Sequence, residues 1–431
     1  MLRRVVLPRL ARLRRPRVLS AVAGVLAAVA VLGYAGGRQA WAWYHLRAAE
    51  KELGRHHPQA AARHLDRALE VWPDSPDVRR LAARAARQAG DLEAARTHLL
   101  AGQQHEDPPS DESILEWAMY RAESGDLAGV EAFLRPKVTG GHPDRVLIAE
   151  ALARGYMKAL RLLDALAMLE GWLREAPTDP AAYSLRGRLW TQVRAFGRAA
   201  EDYDAAVRLD PDRAADRLGL ALALIEVSRY EEAIPHLERL RGEKPDDLDL
   251  ATYLAFALGR VGRTDEAIAL LDGVLARDPD HLAALTGRAR LDLESGRDAD
   301  AERYARRALA VNWYDRSAAH VLHQALVGLG RDAEAAQAKA RLQELDTLQV
   351  KYYDLANRLI PQRPTDADLQ YQLGEVLVGM GKPAEAEGWW LSALKIDPSH
   401  AKAHRALADY YESTGRPDLA AEHRRAAGPG Q

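Results

Sequence analysis

Cysteine is absent from all 431 residues. That one absence excludes disulfides, thiolate zinc sites, haem attachment, a cysteine nucleophile and a lipid-modified N-terminal cysteine. Asparagine occurs only at positions 312 and 357, and phenylalanine only three times. A chain with so few large rings, yet 48% hydrophobic, suits many small helix–helix contacts better than one deep core. Net charge is only -2, but the first 17 residues carry seven arginines and no acid. The basic end is a local device, so nucleic-acid binding by the chain as a whole is not expected. Of the 60 basic residues 51 are arginine, which suggests a GC-rich, bacterial source.

Catalytic signatures are missing as well. The chain has no His-Glu-x-x-His, no Gly-x-Ser-x-Gly elbow and no complete phosphate loop. Ala257 followed by Gly262-Arg263-Thr264 has the spacing of such a loop with the wrong residue at two required positions. His320 with His323, and His400 with His404, have helical spacings that suit a metal, but neither pair has a third ligand that the sequence nominates. The expectation is a protein without catalytic residues, metal or cofactor, and so not an enzyme.

What the chain does have begins with Val18 to Gly37, "VLSAVAGVLAAVAVLGYAGG", free of charge. At about 1.5 Å per residue a helix of this length spans the roughly 30 Å of a hydrocarbon core. The arginines before it predict a cytoplasmic N-terminus at the inner membrane and an extracytoplasmic remainder, with Tyr34, Trp41, Trp43 and Tyr44 at the outer interface. Cleavage near Gly33-Tyr34-Ala35, leaving a secreted protein, is the alternative.

Beyond residue 40 the sequence repeats. Pro143, Pro177, Pro211, Pro245 and Pro279 lie 34 residues apart, as do Pro364 and Pro398. Ala165, Ala199, Ala233, Ala267, Ala301 and Ala335 keep the same step, resumed by Ala386 and Ala420. Each unit reads as two amphipathic helices, with small residues where the helices meet and proline after the second. Between Gly330 and Gly381 the register jumps by 51, one and a half repeats. An extra helix or half-repeat is expected at 346–366.

Gly187, Ala221 and Ala255 in first helices, Ala199, Ala233 and Ala267 opening second helices, and Tyr203, Leu237 and Leu271 after them, with the closing prolines, resemble the tetratricopeptide repeat. The resemblance implies an all-α, right-handed superhelical solenoid over 38–345 and 367–428, about nine units and then two, preceded by the membrane helix. Residues 1–17 form the basic segment and 429–431 a tail. A protein or peptide partner in the concave groove is the implied role, that of an extracytoplasmic scaffold. A part in polysaccharide or envelope assembly is the alternative. By repeat phase the groove candidates are Arg80, Arg84, Arg154, Arg188, Phe256, Arg290, Gln324 and Tyr371, where arginines and rings together suit an acidic or extended peptide.

Overall fold

The computed structural model describes residues 16–428, with the side chains of 16–32 and 35 left aside. Among the described residues every regular element is a helix. Two compact units divide the chain after Ala223.

The first unit comprises α1 (Pro16–Gly54), α2 (Pro58–Leu69), α3 (Pro76–Ala89), α4 (Leu92–Gln103), α5 (Asp111–Ser124), α6 (Glu131–Thr139), α7 (Arg145–Lys158), α8 (Leu162–Glu175), α9 (Pro180–Gln192) and α10 (Phe196–Leu209). It ends within α11 (Ala214–Glu226). The helix α1 runs unbroken through the apolar stretch into the first repeat. There Ala42, Leu46, Ala49 and Leu53, on one face, are buried against Ala61, Leu65 and Ala68 of α2. The expected membrane span, 18–37, falls mostly on side chains outside the described ones. Among the described residues no helix is long and apolar enough to cross a membrane.

The second unit holds α12 (Tyr230–Glu243), α13 (Leu248–Arg260), α14 (Thr264–Arg277), α15 (Leu282–Glu294), α16 (Asp298–Val311), α17 (Arg316–Gly328) and α18 (Asp332–Asp354). A π-helical turn, Leu355–Leu359, and the short α19 (Ile360–Gln362) extend α18. Next come α20 (Ala367–Gly379), α21 (Pro383–Ile396), α22 (Ala401–Ser413) and α23 (Pro417–Ala426). Residues 346–362 thus continue α18, and Leu355 and Ile360 join the core around Leu373, Trp390 and Leu407.

The repeated residues have repeated jobs. Asp179, Asp247, Asp315 and Asp366 each stand four residues after the last residue of the preceding helix and accept a backbone N–H of the next helix. Where a small residue faces a large one the backbones approach closely. A Cβ on Gly187 would sit 3.0 Å from the ring of Tyr203, and one on Gly219 only 2.8 Å from it. Tyr203 therefore fills the space that two glycines leave. His323, in a normally small position, keeps its place through Nδ1, 3.1 Å from the carbonyl oxygen of Ala335.

Candidate functional site

In the first unit most groove-phase arginines are consumed by the protein itself. Arg80 Nη2 donates to Asp77 Oδ1 at 2.9 Å, one turn earlier on α3. It borders a cavity of about 290 Å³ lined mainly by apolar groups such as Ile114, Trp117 and Phe133. Arg84 Nε donates to Glu116 Oε2 at 3.0 Å, while the fully buried Arg87 donates to Glu116 Oε1 at 2.8 Å and to Glu123 Oε1 at 2.5 Å. Arg154 donates through Nε and Nη2 to Glu150 Oε1 at 3.1 and 2.9 Å. Burial pushes the Glu123 carboxyl up to about 7 in spite of Arg87, with Glu150 adding repulsion. Glu150, equally buried, is instead held down at about 2, because Arg154, His56 and Arg87 outweigh its burial.

Arg154 and Arg188 do meet, across a chamber of about 590 Å³ whose wall also includes Gln88, Glu150, Ser184 and Asp216. Asp216 is engaged by Ser184 Oγ and Arg213 Nε, each at 2.5 Å. Arg188 is in no hydrogen-bonded ion pair among the described residues, and burial and the nearby Arg154 lower its pKa against the pull of Glu150 and Asp216.

The second unit brings together three of the four candidates it holds. Arg290 and Gln324 line a cavity of about 390 Å³ with Thr286, Glu294, Ser317 and His320. The Arg290 guanidinium also lies over the Phe256 ring, 4.7 Å from its centroid, and Tyr230 meets Phe256 edge-on at 6.0 Å. Arg260 covers Tyr230 in turn, at 5.5 Å. The result is a ladder of two cations and two rings. The acid paired with Arg290, Glu294, stands 4.0 Å from its Nε, too far for a hydrogen bond. Arg290 Nε and Thr286 Oγ1 are both buried without a hydrogen-bond partner. Burial and the neighbouring Arg260 lower the pKa of Arg290. A carboxylate or carbonyl is the kind of acceptor that these groups lack.

Tyr371 lies apart from that cavity. It packs beside His400, ring centroids 5.4 Å apart, and burial and Glu375 raise its hydroxyl to about 12. The histidine pairs picked out by spacing separate too. His400 Nδ1 caps α22 by accepting from Ala403 N, His404 Nδ1 lies 2.8 Å from His423 Nδ1, and His320 faces the cavity while His323 bonds the backbone. Among the described residues no cluster of three or more metal-ligating groups occurs. Repeat phase places Thr286 in the groove as well, but Glu116, the acid that absorbs Arg84, is not legible in the sequence. It depends on a contact between successive repeats, which residue type alone does not reveal.

Residues 52–110 and 260–320 match one family model described as tetratricopeptide repeat, and 150–214, 192–248, 218–281 and 371–430 match a second of the same description. The chain belongs to the tetratricopeptide-repeat family. No curated protein matches it. Among solved structures, this tetratricopeptide chain is similar to YrrB, a TPR protein with an unusual peptide-binding site, at 18% identity and a TM-score of 0.39, covering 44% of this chain and 96% of that one. It is similar to PilW, a type IV pilus biogenesis factor, at 21% identity and a TM-score of 0.40, over 46% and 92%. Human IFIT1, in a dimer with m7Gppp-AAAA, is 16% identical with a TM-score of 0.35, over 82% and 89%. At these similarities no activity or partner passes from them to this chain.

Proposed function

We propose that the protein is a membrane-tethered tetratricopeptide scaffold that captures an extended, acidic segment of a partner protein. The observation that carries the reading is the cavity beside Phe256, where Arg290 Nε and Thr286 Oγ1 are buried with nothing to bond. Buried donors in a packed fold otherwise find acceptors, so an acceptor from outside is what this site lacks. The ladder of Arg260, Tyr230, Phe256 and Arg290 adds apolar contact and positive field.

Tethering rests on the sequence from Val18 to Gly37 and on the seven arginines before it, which favour an inner-membrane anchor and an extracytoplasmic repeat region. Because α1 continues into the first repeat, such an anchor would hold the repeats close to the bilayer with no flexible linker. Partner capture near a surface then gains from effective concentration.

The test uses the full chain in detergent and a fluorescent glutamate-rich decapeptide, with alginate as a competing acidic polymer. Arg290→Ala should weaken peptide binding about tenfold or more, the worth of a charge-assisted hydrogen bond of roughly 1.5–3 kcal/mol. Thr286→Val should weaken it less. Unchanged affinity in both variants would refute the site, and alginate binding tighter than the peptide would favour envelope-polymer assembly over protein capture. Protease accessibility in intact cells decides the side of the membrane.

A further inference from the structure

The first unit is held shut by the three-residue connection between its first two helices. Between α1 and α2 lie Arg55, His56 and His57, and both imidazoles reach acids far along the chain. His56 Nε2 stands 3.2 Å from Asp179 Oδ2, in the turn before α9, and its Nδ1 is 3.9 Å from Glu150 Oε2 on α7. His57 Nε2 lies 3.1 Å from Asp210 Oδ2, just after α10, with Nδ1 3.0 Å from Glu52 Oε2 on α1. Arg213 Nη1 also donates to the carbonyl oxygen of His56 at 3.4 Å. No helix of the first pair packs broadly against α8, α9 or α10, so side chains of this loop carry the closure. His56 is held at φ 54, a backbone region that non-glycine residues enter only when something fixes them there.

We propose that this loop is a proton-operated clasp, closing the groove of the first unit over its chamber when His56 and His57 are charged and releasing it when they are neutral. Only a charged imidazole donates from both nitrogens, and each of these rings has an acid on either side. The groups facing His56 are Asp179, Glu150 and Arg213, and those facing His57 are Asp210 and Glu52, the latter 3.7 Å from Arg55. For His56, burial works against the charge, but Asp179 and Glu150 prevail and its pKa is raised. For His57, Asp210 is the main cause of a rise that burial reduces and Glu52 reinforces. A raised histidine pKa stabilises the closed form below the ordinary value near 6.5, and that stabilisation is lost as pH climbs through the raised one. The Asp179 carboxylate is positioned for its role, since Trp172 Nε1 donates to Oδ2 at 3.0 Å and the backbone N–H of Ala181 to Oδ1. The consequence, pH-dependent entry of a partner segment, rests on the groove-binding reading, but the clasp itself does not.

The absence of cysteine makes the test clean, because two introduced thiols take spin labels at no other site. Gln59→Cys and Ala215→Cys place labels on exposed residues of α2 and α11 that both line the chamber in the full chain. Electron–electron distance measurements should give a short, narrow distribution at about pH 6 and a longer, broader one at about pH 9. In the same chain carrying His56→Gln and His57→Gln the distance should stay long at both values. Identical distributions at the two pH values overturn the clasp. A pH response that survives in the glutamine variant also overturns it, assigning the change to other groups of this unit, such as Glu123. If the glutamine variant fails to fold, imidazole NMR titration of the unsubstituted chain decides, and values at or below about 6.5 for both histidines refute the proposal. Distance is read without any ligand, so failure of the clasp and failure of the peptide site are distinguishable.

Discussion

One backbone conformation recurs at the turn between the two helices of a repeat. Leu160, Arg194, Ser228, Gly262, Gly296 and Gly330 are spaced by 34 and all have positive φ. At Gly262 the helix closes with Arg263 N donating to Leu258 O at 2.9 Å, and the same bond links Arg161 N to Tyr156 O beside Leu160. The glycines announce this turn in the sequence, whereas at Leu160, Arg194 and Ser228 only the 34-residue register does. A non-glycine residue in this region costs about 1–2 kcal/mol, part of which glycine returns through its greater unfolded-state entropy of about 0.5–1 kcal/mol. Leu160 is 71% exposed, so little burial is lost with its side chain. Leu160→Gly should therefore stabilise the protein by up to about 1 kcal/mol in urea unfolding, and Gly262→Ala should destabilise it by about 1 kcal/mol. Equal and opposite signs at two equivalent turns would confirm the common strain, while a destabilising Leu160→Gly would show that the turn is not strained.

At the scale of the helix, the repeated prolines and small residues made the pairs readable, because each unit solves the same local packing problem with the same residue types. The groove was less legible. Phase places Arg84 and Arg154 at groove positions, yet α5 and α7 supply Glu116 and Glu150 to neutralise them. In the second unit the corresponding face offers Arg290 only a distant acid, which is why that cavity keeps free donors. The buried group on α3, α5 and α7 has its own signature. A carboxyl raised to about 7 binds its proton more tightly in the folded state than in the unfolded chain, where the ordinary value is 4.5. Stability from this group is therefore full below that ordinary value and declines as pH rises toward and past 7. Glu123→Gln keeps an oxygen for Arg87 and removes the titration, so thermal unfolding should lose part of its decline between about pH 4.5 and pH 7. A steeper decline in the variant would mean that Glu123 is ionised in the fold and that Arg87 depends on its charge.

For the whole chain, a repeat fold links each helix pair mainly to its neighbours, so damage should stay near its origin. Ala267 on α14 is fully buried, and α14 packs on α13, where Ala255 and Leu258 are buried as well. Tryptophan there has no space to enter, and overpacking of this kind costs about 1–3 kcal/mol or more. Each unit has cores of its own, such as that of Leu152, Leu169 and Trp172 in the first. In the Ala267→Trp variant, amide exchange should accelerate through α13, α14 and α15, while residues of that first core remain protected. Phe256→Ala makes the contrast, because Phe256 is only partly buried and its ring contacts are with Tyr230 and Arg290. It should leave exchange in α13 nearly unchanged while weakening capture of the acidic probe. Loss of protection in both units on Ala267→Trp would instead reveal one cooperative fold, and matching exchange in the two variants would show that Phe256 closes the repeat and does not face a partner.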